Sequence, residues 1–258
     1  MIEASDSDGA LTLSLAGRPL LVHTPDEPAF LFAKGAPRVR MDRGNFDISD
    51  TPSGGVSPRW CRPAGTDIWE LCEAVGGPSI ARLMIEQVDK IDRLTIRAID
   101  PTFDRITVRF ATEPGEAVWG GGEQMSYLKL NGRRFPMWTS EPGVGRDKNT
   151  ELTRLMDAAG NAGGDYWTTN YPQPTMLSSR GIAIHLESTA YSVLDFTDAD
   201  AHRFECWEGE AHFALFAADT LPMLVTRLSD HFGQPAPLPD WVLEGAIVGL
   251  KAGATSFD

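Results

Sequence analysis

Between Leu11 and Ala111 apolar residues recur at every second position: Leu11, Leu13 and Leu15, then Leu83 and Ile85, then Leu94, Ile96 and Ala98, then Ile106, Val108 and Phe110. A period of two puts these side chains on one face of an extended chain, so each run predicts a half-buried β-strand. Turn-forming residues stand between the runs, as in Ala16-Gly17-Arg18-Pro19, Thr24-Pro25-Asp26 and Glu73-Ala74-Val75-Gly76-Gly77-Pro78, and no helical period of useful length intervenes. Many short strands without an internal repeat predict one large, mainly β sandwich and exclude propellers and solenoids.

The alternation stops between Trp119 and Pro174, where Gly, Trp, Tyr, Asn and Pro concentrate. Long functional loops have this texture. Alternation returns in Gly181 to Leu186, Tyr191 to Phe196 and His212 to Phe216, so the loops read as insertions into the same sandwich. The first helix is predicted only after that, with Leu221, Leu224, Val225, Leu228 and Phe232 on one stripe. Asp219 or Thr220 caps its start just before Pro222, and Gly233 followed by Pro235 ends it.

The run Gln234-Pro235-Ala236-Pro237-Leu238-Pro239 lacks the donors a sheet needs and reads as a stiff connector. This divides the chain into a sandwich over 1–218, a helix and connector over 219–240, and the start of a second unit over 241–258. The segment Trp241 to Leu250 ends in an apolar run typical of strands buried on both faces of a parallel sheet. Thr255-Ser256-Phe257-Asp258 has the pattern of a cap and first helical turn. A lone parallel strand leaves backbone donors unpaired, so the expectation is that the natural protein continues past Asp258.

Charge narrows the partners. With 36 acidic against 23 basic side chains, the net charge of -13 repels a phosphate backbone, which argues against nucleic acid. No apolar stretch approaches the roughly 18 residues of a membrane span, and Met1 to Ala10 is polar and acidic, unlike an export signal. Cys61, Cys72 and Cys206 are an odd set without CxxC spacing, which speaks against a disulfide framework and a structural zinc site and fits a reducing cytoplasm. The five histidines, His23, His185, His202, His212 and His231, lack the spacing of a helical metal site. Neither metal nor cofactor is predicted.

Two stretches carry a resemblance to a known family. Val118-Trp119-Gly120-Gly121-Gly122-Glu123-Gln124, followed by Phe135-Pro136-Met137-Trp138-Thr139-Ser140-Glu141, is similar to a Gly-x-Gly-Glu segment of glycoside hydrolase family 31. Leu221 to Trp241 resembles that family's helix, Gly-x-Pro and proline-tryptophan entry to the barrel. The resemblance implies a galactose-mutarotase-like β-sandwich followed by a helix and the first strand of a truncated (β/α)8 barrel.

Within the family, three loop segments look like those of the sulfoquinovosidases: Gly122 to Tyr127, Trp138 to Arg146, and Asn161 to Trp167 with Pro172-Gln173-Pro174-Thr175. This implies a retaining hydrolase of α-sulfoquinovosides, with a sugar glycoside as substrate and the missing barrel as structural partner. Its nucleophile and acid/base are aspartates on later barrel strands. No catalytic residue is therefore expected in this chain, which is expected to be inactive alone. A free-standing carbohydrate-binding sandwich, or an α-glucosidase or α-xylosidase of the same family, are the alternatives.

Among residues present, Lys251 directly follows the candidate barrel strand, at the end where (β/α)8 enzymes build their sites. Its ammonium suits an anionic sugar. Glu141 falls where related α-glucosidases place an acidic residue over the barrel mouth; alternatively it pairs with Arg146, or Asp147 does, in a surface contact of little worth. Glu123 follows Gly120, Gly121 and Gly122 and reads mainly as part of a glycine turn, with substrate contact as the lesser reading. Of Trp138, Tyr166, Trp167 and Tyr171, one or two are expected at the sugar and the rest in packing.

Overall fold

In the computed structural model the described residues are 1–42, 45–160 and 162–245. Two antiparallel sheets face one another. The larger has eight strands in the order Val118–Gly122, Pro172–Ser178, Ile182–Leu186, Glu210–Ala217, Ile91–Ala98, Ser79–Val88, Ile68–Cys72 and Trp60–Gly65. The smaller has six, in the order Arg134–Met137, Ser192–Asp195, Ala201–Cys206, Arg105–Ala111, Phe30–Lys34 and Ser53–Val56. A three-stranded sheet, Ile2–Ser7, Ala10–Leu15 and Arg18–His23, closes one side, and the hairpin Arg38–Asp42/Asn45–Ser49 stands apart.

The alternating runs behave as period two requires. Leu11, Leu13, Leu94, Ile96, Ile106 and Val108 are all fully buried. The sheets meet through aromatic rings: Phe213 of the larger sheet packs edge-on against Phe110, with ring centroids 5.2 Å apart, and against Phe204 at 5.9 Å. Each such ring removes on the order of 150–250 Å² from water, so the seam is a substantial part of the apolar core.

The expected helix is the second in chain order, because an earlier helix precedes it. α1 spans Glu151–Gly160 and α2 spans Leu221–Phe232. Thr220 caps α2, accepting from the Met223 amide, and Gly233 ends it. The buried stripe is narrower than the sequence suggests. Leu224 and Leu228 press on Ala183, Ala214 and Phe216 of the large sheet, whereas Val225 and Phe232 are exposed. The connector residues 233–240 are exposed. Trp241–Glu244 form one short helical turn, α3, rather than extended chain. The apolar run Ala246 to Leu250 and the barrel start lie outside the described residues.

α1 corrects the reading of 119–174 as loop alone. Leu152, Leu155, Met156 and Ala159 fall at helical spacing, yet Leu152 and Leu155 face solvent and the one buried residue is Thr153, so this stripe is not what holds the helix. It is tied down by polar bonds instead. Lys148 Nζ donates to both Asp157 oxygens, at 2.9 and 2.8 Å, and to the Gly163 carbonyl at 2.9 Å.

Two buried polar groups matter for stability. Glu116 accepts from Ser178 Oγ, from Thr112 Oγ1 at 2.8 Å and from the Glu113 amide at 3.0 Å. His202 Nε2 lies 3.3 Å from a Glu116 oxygen without the alignment of a hydrogen bond. Burial opposes ionisation of Glu116, yet its contacts with His202, Ser178 and Thr112 prevail and hold its pKa at about 2.

His23 is fully buried, and its Nδ1 accepts from the Ala29 amide at 3.2 Å. Burial lowers its pKa to about 4. The folded pKa lies below the unfolded one, so the neutral ring stabilises fully above about pH 6.5, and that contribution fades as pH falls toward 4. Chemical denaturation at pH 7 and pH 5 is expected to give a stability loss that is about 2 kcal/mol smaller in His23→Gln than in the parent chain. An equal loss in both proteins would contradict the assignment.

Candidate sugar-binding cleft

At one end of the sandwich a cleft of about 670 Å³ opens between three pieces of chain. The strand Arg134–Met137 delivers Trp138, Thr139, Ser140 and Glu141 to one wall. Asn170, Pro172 and Pro174 come from the opposite loop and the strand it enters, and Ser188 to Ser192, with Tyr191, close the far side. Phe46, from the separate hairpin, meets Trp138 edge-on with centroids 5.1 Å apart. The wall continues from Trp138 to Tyr191 at 5.8 Å and on to Trp207 at 4.3 Å.

The loops that carry these residues are fastened to one another by backbone. Ser140 N donates to the Thr169 carbonyl at 2.9 Å, Val144 N to Ala162 at 2.8 Å, and Gly164 N to Val144 at 3.0 Å. Arg146 does not pair with Glu141 or Asp147. Its Nη1 donates to the carbonyls of Thr168, at 2.9 Å, and Pro142, at 3.3 Å, which pins the two loops together. The carboxylate of Glu141 is left exposed in the cleft lining. Burial raises the pKa of Tyr191, so its phenol stays protonated and able to donate through the neutral range.

Of the residues singled out from sequence, the structure brings together Glu141 and Trp138. Glu123 is exposed and is not part of the cleft lining; its backbone amide donates to the Tyr171 carbonyl at 2.9 Å. The glycines before it have φ of 119°, 75° and 80°, a region that favours glycine, as a backbone-shaping turn requires. Lys251 lies outside the described residues. Tyr166 packs: its hydroxyl donates to the Arg134 carbonyl at 2.7 Å and its ring meets Phe135 edge-on at 5.5 Å. Trp167 is half-buried against the core, and Tyr171 is 63% exposed beside the cleft. Tyr191, Asn170 and Phe46 went unnoticed in the sequence, although Tyr191 opens a run whose alternation was legible.

Other chemistry is limited. The thiols of Cys61 and Cys206 are buried, and burial above all pushes each to about 12, so neither is a nucleophile at neutral pH. Among the described residues no group of three or more His, Cys, Asp or Glu side chains is placed to hold a metal ion. No helix among them is long and apolar enough to cross a membrane. The described cleft lining has one carboxylate, Glu141, and neither lysine nor arginine.

The class of protein that the fold defines is a two-sheet antiparallel β-sandwich with an aromatic-walled cleft holding one carboxylate and one amide. No protein-family model matches the chain. It is 47% identical, over 95% of its length, to a sulfoquinovosidase of Agrobacterium fabrum, and 32% identical, over 96%, to one of Escherichia coli. A solved structure of a family 31 sulfoquinovosidase from E. rectale, in complex with an aza-sugar inhibitor, superposes with a TM-score of 0.84 at 35% identity over 96% of this chain. The chain spans 36% and 37% of the two curated relatives' lengths and 37% of the solved chain. Its homologues are thus sulfoquinovosidases of glycoside hydrolase family 31, of which it corresponds to about a third.

The glycine turn gives a direct check on this architecture. Gly122 has a φ of 80°, and a Cβ there would overlap the carbonyl oxygen of Tyr171. Gly122→Ala is expected to destabilise the chain by about 2 kcal/mol or more, read as a lower thermal midpoint. An unchanged midpoint would mean that the turn is not held in this shape.

Proposed function

We propose that this chain is the sugar-facing sandwich part of a retaining α-glycoside hydrolase acting on α-sulfoquinovosides. The observation that carries the reading is the composition of the cleft. Trp138 and Tyr191 offer ring faces to the apolar side of a sugar, while Glu141, Asn170 and the hydroxyls of Thr139 and Ser188 offer partners to its hydroxyl groups. The identity to sulfoquinovosidases over nearly the whole chain supports the substrate class.

A retaining hydrolase needs two carboxyl groups about 5–5.5 Å apart. The described cleft offers one, so Glu141 is a sugar-binding group in this reading. The two aspartates belong to a (β/α)8 barrel that is the sandwich's structural partner. The positive charge a sulfonate requires is absent from the described lining, and Lys251, at the candidate end of the first barrel strand, is our choice to supply it. The three buried, unpaired thiols support a reducing, cytoplasmic setting.

With the intact gene product, kcat/KM for an aryl α-sulfoquinovoside is expected to exceed that for the matching α-glucoside by about tenfold or more. Glu141→Gln is expected to lower it by about tenfold. Preference for the neutral sugar would overturn the substrate class, and unchanged kinetics in the variant would remove Glu141 from the site.

A free-standing sugar-binding module is the second reading, favoured by a cleft whose walls all come from the sandwich and its loops. Calorimetric titration of the isolated chain separates the two, because saturable micromolar binding without a barrel supports the module.

A further inference from the structure

We infer that Arg105, which does not line the cleft, is the positioning residue for its aromatic wall. The inference rests on the sugar-binding reading of that cleft and adds a specific support to it. Arg105 begins a central strand of the smaller sheet, and its side chain is 7% exposed. A guanidinium taken out of water needs compensation; Nε and Nη1 find hydrogen-bond acceptors while the buried Nη2 has none, which leaves the ring contact to contribute. Here the compensation runs in two directions, and both end at Trp138.

The first route is the stack. The guanidinium carbon lies 3.9 Å from the ring centre of Trp207, a cation–π contact in a desolvated place. Trp207 packs on Tyr191 at 4.3 Å, and Tyr191 on Trp138 at 5.8 Å. The second route is the hairpin. Arg105 Nε donates to Asp50 Oδ2 at 2.7 Å. The other oxygen of Asp50 accepts from the amides of Ala36 and Thr51, at 2.7 and 3.0 Å.

Those two amides flank the two ends of the hairpin Arg38–Asp42/Asn45–Ser49, so the carboxylate staples its base. Phe46 of the same hairpin then meets Trp138 edge-on. One buried cation thereby reaches the same indole through both Tyr191 and Phe46.

The arrangement also explains a glycine. At Gly35 an added Cβ would overlap the Arg105 guanidinium. The Gly35 amide meanwhile donates to Asp104 Oδ1 at 2.7 Å, and Arg105 Nη1 donates to the Asp104 carbonyl at 2.8 Å. Gly35 therefore leaves room for the guanidinium to sit over the Trp207 ring. Lysine keeps the charge for Asp50 but offers no planar group to stack, so Arg105→Lys separates the two functions.

The test uses Arg105→Lys and Gly35→Ala, with His23→Gln as a control destabilised from elsewhere. In the chain itself, both variants are expected to keep the far-ultraviolet circular dichroism and to lose about half of the near-ultraviolet aromatic signal, which reports fixed ring packing. The control is expected to keep that signal. In the intact gene product both variants are expected to raise KM for an aryl α-sulfoquinovoside about tenfold with kcat within about twofold. A near-ultraviolet spectrum like that of the parent in both variants overturns the positioning role. A changed spectrum with unchanged KM upholds the role of Arg105 in ordering the wall and overturns the assignment of the cleft as the sugar site.

Discussion

The structure depends first on the contact of Phe213 with Phe110 and Phe204, where the two sheets close on each other. Apolar residues at every second position must leave water together, and they do so only if the strands of both sheets keep register with one another. Once that seam is shut, the chain between strands has nowhere to run except the outside and the ends. The long insertions between Val118–Gly122 and Pro172–Ser178 therefore gather at one end, and the cleft is what they enclose.

Enclosure alone would leave loose loops, and the binding energy available to a mobile wall is reduced by the entropy of ordering it. Here the ordering is done in advance by polar contacts. Arg146 joins Pro142 to Thr168, Lys148 joins Asp157 to Gly163, and Arg105 joins Asp50 to Trp207. Each arginine is used where a planar, many-donor cation can satisfy several acceptors at once. The acidic surplus of the chain sits mostly elsewhere on the surface, which leaves the cleft with a single carboxylate.

Much of the sandwich was legible because its signal is local. Leu11 to Leu15 or Ile106 to Phe110 announce a strand within five or six residues, and the cap at Thr220 with Gly233 announces a helix end. The strand Ile2–Ser7 was silent because it is exposed apart from Ile2, so no alternation marks it. α1 differs: Leu152, Leu155, Met156 and Ala159 do carry a helical period, but the run is short and stands among glycine-rich loop segments, and the helix is fastened by the Lys148–Asp157 contact rather than by that stripe. The cleft was half legible. Trp138 and Glu141 lie on one continuous segment, whereas Tyr191, Asn170 and Phe46 join them only through tertiary folding. The Arg105–Asp50 pair spans 55 residues of sequence, and no local pattern connects its members.

The central claim is that Trp138, Glu141 and Tyr191 form the surface that meets the sugar. Its most direct measurement is an amide and indole NMR titration of the chain with methyl α-sulfoquinovoside, which detects contacts even at millimolar affinity. The account predicts that shifts begin at the Trp138 indole and at the amides of Glu141, Asn170 and Tyr191. Shifts confined to another face of the sandwich, or none at these four residues up to saturating sugar, would contradict it.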